Sequence, residues 1–510
     1  MNNDSKETTM NSVNEQRHFT SVMIAVVLGV VIANTSNAGN DLFSGRTIGM
    51  ARTFTASSRG LDAIGLNPAN LALDDRGSDA TFEIAPFSGI GFFAGSDFIN
   101  YKIYQDDFTG VDSIGANGQP TGVRVGKVLS QSDKNEILGL FPGGISHTQA
   151  DVGITEFGFA TRSAALGGIG FSVSDQVAMN LDIPEGYLKM ALDAFPATGG
   201  AYTLDNTSIK ASWLRNYNLS YARMLPVDLK WIKNVAVGVG IKYVQGFGYF
   251  GTDHYTGNLQ VVPSYLPSSS GNDSVLASEP ISGNVNFLQR ESNANFVAID
   301  TGHVSLNHSN FSDFFSKPAG TGLGLDLGIS GEVFQALRVG VSVTDIGKIT
   351  WNQNTKVITE NGSFSLSDYL QKDSLNNAFK GQTRDTTSFK TSLPTALHIG
   401  GALQLDKAPF ISYFPGQLLI AADFNVGFNN EPGNTTIPRF SLGTEYRPVE
   451  AFPIRTGISF GGREGFYWSV GIGINTPVWD LDLGTESISL LTNPNSFRDA
   501  SFTLGMRFRI

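Results

Sequence analysis

The sequence predicts an all-β protein, a transmembrane antiparallel β-barrel of about 14 strands with a small N-terminal hatch, or plug, inside its lumen. Three observations lead there: apolar and small or polar residues alternate with period two along much of the chain, short and long connectors alternate between those segments, and a secretory leader precedes them. Composition agrees. Charged residues are 16% of 510, with 58 Gly, 36 Phe and no Cys, against roughly 25% charged in an ordinary soluble domain. Lack of cysteine excludes disulfides, thiolate metal sites and lipid-modified cysteine. A net charge of -11 excludes non-specific nucleic-acid binding, because phosphate neutralisation needs clustered Lys and Arg.

The leader is residues 1–38. Met1 to Thr20 is polar with Lys6 and Arg17, Val22 to Ala33 is an unbroken apolar run, and Ser36 and Ala38 supply the small residues that a signal peptidase reads. The run is short of the roughly 20 residues a membrane-spanning helix needs. No later stretch is long and apolar enough to span as a helix, so any crossing is made by strands. Export to the outer membrane of a Gram-negative bacterium follows, with its lipid as the first partner. Residues 39–78 form the hatch and residues 79–510 the barrel with long extracellular loops.

The strands follow in order. Val235 to Tyr243 sets valine, isoleucine and tyrosine against Ala236, Gly238, Gly240 and Lys242; Leu323, Leu325, Leu327 and Ile329 oppose Gly324, Asp326 and Gly328; Leu337, Val339, Val341 and Val343 oppose Arg338, Gly340 and Ser342. Further on, Ile420 to Val426 alternates with Ala421, Asp423 and Asn425, and Phe440, Leu442, Thr444 and Tyr446 with Arg439, Ser441, Gly443, Glu445 and Arg447. Ile454, Thr456, Ile458 and Phe460 then oppose Arg455, Gly457 and Ser459, and Phe466 to Ile474 alternates with Ser469, Gly471 and Gly473. Alternation alone does not separate a soluble sandwich from a membrane barrel.

The connectors separate them. Short ones fall at 163–165, 226–230, 331–335, 407–415, 448–452 and 476–477, and long ones at 105–150, 179–207, 248–319, 352–394, 429–436 and 487–498. An up-and-down outer-membrane barrel has tight periplasmic turns and extended external loops, which a Greek-key sandwich has no reason to copy. The first wall strand is expected over 89–104 and the last over 500–510. Residues 80–87 read as a strand or as part of the plug.

In the last strand Phe502, Leu504, Met506, Phe508 and Ile510 share a face, and Gly505 follows a polar-apolar step. The pattern around Gly505, Phe508 and Ile510 resembles the C-terminal insertion signal of outer-membrane barrels, with Ile510 where an aromatic is usual; that resemblance implies the barrel-assembly machinery as a partner. Ser57 to Leu73 holds Asp62-Ala63 and Asn67-Pro68-Ala69. Placed between leader and strands, it resembles the N-terminal hatch of the FadL-like family, which includes long-chain fatty-acid transporters and the PorV and PorQ branch of protein secretion. Thr344-Asp345-Ile346-Gly347 with Trp351, and Pro453 to Gly457, are similar to stretches of the same group. The resemblance implies passive uptake of a hydrophobic or amphipathic small molecule such as a long-chain fatty acid, or, in the other branch, a non-transporting component that binds a secreted protein; a structural outer-membrane protein is a further alternative. No cofactor is implied. Physically, a lumen this wide needs a plug, and Asn67 and Pro68 suit a compact turn within it.

No catalytic residue and no metal site are expected. Gly457-Ile458-Ser459-Phe460-Gly461 fits G-x-S-x-G, but it lies in an alternating strand and no His follows His398. Gly320, Gly322 and Gly324 are positions on one strand face. His303 and His308 are near enough to raise a metal pair but lack ligand spacing. With apolar faces on lipid, Lys242, Arg338, Arg439, Arg447, Arg455, Arg507 and Arg509 point inward with Asp326, Asp423 and Glu445. They either hold the hatch and an anionic head group, or form a network that only stabilises the lumen. Phe92, Phe93, Phe141, Phe157, Phe159 and Phe171 either supply an apolar pocket, with Phe157 and Phe159 opposite Ile154, or face lipid.

Overall fold

The computed structural model describes residues 44–510, apart from 98–101, 103, 106–108, 115–117, 194–199, 228–230, 263, 268–273, 279–280, 296, 301–302, 307–316, 334–335, 367–380, 464 and 493–497. The leader at 1–38 lies outside the described residues, as does His308. Among those described, fourteen antiparallel strands close into a barrel. The first, β1, has two segments, Ala80–Ile84 and Ile90–Ser96. After it come β2 (Ile145–Ser163), β3 (Gly167–Pro184), β4 (Ser208–Met224), β5 (Ile232–Val261), β6 (Gly320–Val333) and β7 (Leu337–Trp351). The eighth, β8, is also broken, into Phe389–Ser392 and Ala396–Gln404. The rest are β9 (Gln417–Gly427), β10 (Arg439–Arg447), β11 (Ile454–Gly461), β12 (Gly465–Asn475), β13 (Trp479–Thr485) and β14 (Asp499–Arg509).

Closure comes from β1, whose two segments both pair β2 on one side and β14 on the other. Residues 80–84 are therefore wall, and the expected first strand was displaced: it starts earlier and stops at Ser96. Backbone bonds from Asp79 and Ala80 to the Ile510 carbonyl, and from Ile510 back to Ala80, complete the seam at the short-turn end. Closing the sheet leaves no edge of unpaired amides in hydrocarbon.

Period two sets the faces. Along β10 and β11, Phe440, Leu442, Ile454 and Phe460 are exposed while Ser441, Glu445, Arg455 and Ser459 are buried. The exposed set is the apolar band expected for lipid, and the charged rows turn inward. β-Bulges shift this pattern locally. The register between β2 and β3 slips between Thr155 and Phe157, so the extra residue returns Phe157 to the face of Ile154 rather than the opposite one. Phe92 and Phe157 are exposed on the outside, whereas Phe93 and Phe141 are buried. The six phenylalanines thus do not line one pocket.

Connectors alternate as the sequence predicts, with one addition. Between β11 and β12 the long-loop end carries a tight turn, made possible by Gly461 (φ 88°), Gly462 (φ 71°) and Gly465 (φ 79°). At the same end β5 runs for 30 residues. Its upper half pairs Ile281–Asn293, which in turn pairs Lys356–Leu366, raising an external sheet above the barrel. Tyr202, Leu204, Leu259, Val261 and Ile281 are buried together in its core.

Candidate functional site

Inside the wall, residues 44–75 form the hatch: a five-residue helix α1 (Gly45–Gly49) and 3-10 turns at Gly60–Ala63 and Pro68–Ala72. The predicted turn at Asn67-Pro68-Ala69 is capped as its chemistry allows, with the Asn67 carboxamide oxygen accepting from the Ala69 amide at 3.3 Å and its nitrogen donating to the Thr55 carbonyl at 3.0 Å. Asn70 donates to the same carbonyl at 2.9 Å. Ala63 and Ala69 pack with Leu61, Ile64 and Leu71 against the wall alanines Ala160, Ala222 and Ala236.

Small wall residues are the sockets for this turn. A Cβ added at Gly238 would lie 2.3 Å from the Ala69 amide nitrogen, and one at Gly328 would lie 2.1 Å from the Asn67 side-chain oxygen. Gly443, Gly457, Gly471 and Gly484 meet the backbone between Gly45 and Met50 in the same way. Much of the glycine excess is therefore inner-face clearance for the plug.

Charge pins the hatch to β9–β14. Arg507 grips Asp62 through both guanidinium nitrogens at 2.7 and 2.9 Å. Glu445 takes Arg46 of the hatch at 3.3 Å and Arg447 and Arg455 of the wall at 2.8 and 2.6 Å, while Arg455 reaches Asp482 at 2.6 Å. Arg509 donates to the Asp75 carbonyl at 3.0 Å and pairs Asp480 at 2.7 Å. Asp423 accepts the Phe54 and Thr55 amides at 3.0 and 2.9 Å. A bidentate pair joins Arg52 to Glu486 at 2.7 Å, and Arg52 also lies over the Phe93 ring. Desolvated pairs of this kind hold only while both partners stay in place.

Lys242 and Arg338 meet carboxylates of the wall instead. Lys242 is held between Asp326 at 3.1 Å and Asp345 at 2.7 Å, inside the wall. Arg338 pairs Glu332 at the short-turn end. Arg439 borders a cavity of about 90 Å³ above the hatch with Arg52, His398 and Asn425. Within β14, Gly505 pairs Asp482 and Phe508 stacks on Phe82 at 5.1 Å, and Ile510 just after it is exposed. Ser459 of the G-x-S-x-G stretch sits buried on β11, bonded to Ser441 at 3.1 Å.

A second closure lies nearer the long-loop end. The connector 428–438 folds across the lumen as a lid. Asn180 of β3 donates to the Glu431 and Asn434 carbonyls at 3.0 and 2.9 Å and accepts the Gly433 amide at 3.3 Å. At its other side the lid docks on the break in β8, where the Leu393 and Thr395 carbonyls, lacking ladder partners, accept from Asn429, Phe428 and Asn434. The turn between β11 and β12 leans the same way, with Arg463 on Asp182. Against the lid stands an aromatic cluster, Tyr249, Trp351 and Phe389, with Tyr249 and Trp351 beside Glu431 and Pro432. Tyr249 centres it, 5.3 Å from the Trp351 ring and 5.7 Å from Phe389. Among the described residues no group of three His, Cys, Asp or Glu is placed to hold a metal.

Residues 77–482, which hold the wall from its first strand into the thirteenth, match the model of a family described as a family of unknown function, DUF5723. The chain belongs to that family. No curated protein matches this DUF5723 member. Solved structures similar to it include the toluene transporter TbuX of Ralstonia pickettii, at 13% identity over 92% of this chain and 99% of that one, TM-score 0.42. A FadL homologue of Pseudomonas aeruginosa is similar at 12% identity over 94% and 100%, TM-score 0.42, and the monoaromatic hydrocarbon channel CymD at 11% over 93% and 99%, TM-score 0.40. What those proteins carry is a property of those proteins.

Sequence reasoning missed Arg46, Arg52, Glu486, Asn180 and the lid. The two arginines had a signal, since cations in a plug demand carboxylates on the surrounding wall. Asn180 had none, being one polar inner-row residue among many. Replacing it with alanine strips three bonds from the lid, and in a barrel lacking the hatch residues 44–75 planar-bilayer recordings are expected to show more frequent openings than in the same barrel with Asn180 kept. Burial pushes the Glu431 carboxyl above its usual range, opposed by Lys210. A docked carboxyl that holds its proton more tightly than an undocked one favours docking at low pH, so lid openings are expected to increase as pH rises through that raised value.

Proposed function

We propose that this protein is a gated FadL-like channel of the outer membrane of a Gram-negative bacterium, carrying hydrophobic or amphipathic small molecules, with hatch and lid both shut at rest. The observation that carries this reading is the aromatic cluster at the lid: Tyr249, Trp351 and Phe389, three rings in mutual contact on the lumen side of a wall otherwise lined with Gly, Ser and paired charges. Ring faces and edges suit apolar solutes and offer nothing to hydrated ions. Long-chain fatty acids fit this chemistry. In this scheme an apolar molecule displaces Pro432 and Glu431 from the cluster, settles on Trp351 and Tyr249, and moves on when the hatch shifts, without ATP. Binding of toluene or a fatty acid to the purified barrel is expected to change tryptophan emission, and Trp351→Ala to reduce that binding about tenfold, in line with loss of one buried aromatic. Unaltered emission on saturation with both ligands would remove the reading.

The external sheet favours a second one. A sealed pore has no use for a platform built on β5, whereas a PorV or PorQ type component would use it to hold a secreted protein. Co-purification of a large exported polypeptide, lost on deleting 281–293 with 356–366, would support that role.

A further inference from the structure

Below the hatch, at the short-turn end, lies a cavity of about 600 Å³. Seven cations border it, and most are accounted for. Arg46 and Arg447 share Glu445, Arg76 pairs Asp480, Arg162 pairs Asp74 at 3.3 Å, and Arg338 pairs Glu332. Two are left over. Arg59 of the hatch donates to the Ala56 and Ser58 carbonyls at 3.4 and 2.5 Å and has no carboxylate within ion-pair distance among the described residues. Lys407, exposed beside β8, also has none. The lining carboxylates are Asp74, Asp75, Glu332, Glu445 and Glu450, of which the first four already serve an arginine. Glu450 is exposed.

A second observation points the same way. Arg338 is nine-tenths buried, and among the described residues its Nη1 finds no acceptor; neither does Nε of the buried Arg447. Guanidinium N–H groups taken out of water without acceptors are costly, and the costs end when an anion supplies oxygens to several of them at once. Apolar surface stands beside the cations, from Leu73 of the hatch, Met224 of β4 and Leu419 of β9.

We propose that this vestibule binds an anionic head group, a carboxylate or a phosphate, between Arg59 and Arg338, with the attached chain against Leu73, Met224 and Leu419. Occupation would complete the charge balance under the plug. The inference goes beyond the channel reading, since a head group can rest here whether or not anything crosses the hatch.

The test is calorimetric titration of the full-length barrel, in non-ionic detergent, with octanoate, octyl phosphate and octanol. At least one anion is expected to bind about tenfold or more tightly than octanol, as charge-assisted bonds require. Arg59→Gln and Arg338→Gln should each remove most of that advantage, and added salt should erode it. A preference for octanoate identifies a carboxylate compound and one for octyl phosphate a lipid or free phosphate, with inorganic phosphate alone separating those two. Lys407→Gln, exposed and outside the hatch, gives a few-fold loss and keeps the test open if either arginine variant misfolds. Octanol binding as tightly as both anions, or anion binding unaltered in the folded variants, overturns the proposal. Neither result bears on the aromatic cluster above the hatch.

Discussion

Glu445→Gln is expected to lower the temperature at which the purified barrel loses its heat-modifiable gel mobility, more than any other single charge removal in the lumen. Glu445 is buried, and three guanidiniums converge on it, Arg46 from the hatch and Arg447 and Arg455 from the wall. Glutamine keeps the shape and removes the charge. Among the described residues Arg46 then retains only the Asp62 carboxylate at 3.8 Å, and Arg455 only Asp482. Breaking a buried pair by deleting one partner costs about 3–5 kcal/mol, because the remaining charge stays out of water unpaired. Here three cations are affected, so the upper part of that range is expected. Glu136→Gln, exposed on the helix Gln131–Leu138, is the control and should change stability by about 0.5 kcal/mol or less. Equal gel shifts for the two variants would mean that the cluster does not hold the hatch.

Gly238→Val together with Gly328→Val, in an Asn180→Ala background that frees the lid, is expected to turn a silent barrel into a conducting one. Both glycines lie on inner rows of β5 and β6, where valine is compatible with the strand. Their cost falls on the hatch: the new Cβ atoms would stand 2.3 Å from the Ala69 nitrogen and 2.1 Å from the Asn67 oxygen. No rotamer relieves a clash with a Cβ atom, so the Asn67-Pro68-Ala69 turn must leave its socket. Planar-bilayer conductance should rise to a level near that of an Asn180→Ala barrel lacking 44–75, while the gel shift persists because the wall pairs are intact. A closed, folded triple variant would show that the turn can be reseated.

The wall was legible from the chain because its causes are local. Lipid contact excludes charge from alternate residues of each strand, so Phe440, Leu442, Ile454 and Phe460 announce their face within a few positions. Connector length marked which end of the barrel each turn occupies. Bulges were not legible. One extra residue between Thr155 and Phe157 reverses the facing of all that follows, and nothing in Thr155-Glu156-Phe157 differs from an ordinary strand.

The hatch was half legible. Asn67, Pro68 and Ala69 advertise a compact turn by their own side-chain chemistry, and they form one. Its location within the wall, and the carboxylate that each arginine finds, came from closure of the ring. That closure brings Arg46 to Glu445 across 399 positions and Asp62 to Arg507 across 445. A lid bonded to Asn180 from 251 positions away is of the same kind.

Sequence by itself thus determined a membrane β-wall with inward charge and a plug-like segment before it, since periodicity, turn chemistry and the cost of charge in hydrocarbon act over a few residues. Only the tertiary structure decided which charges meet, which glycines are sockets, and that the long-loop end is closed by its own connector. Those are facts of three-dimensional adjacency, and a sheet that closes on itself makes neighbours of residues that nothing along the chain relates.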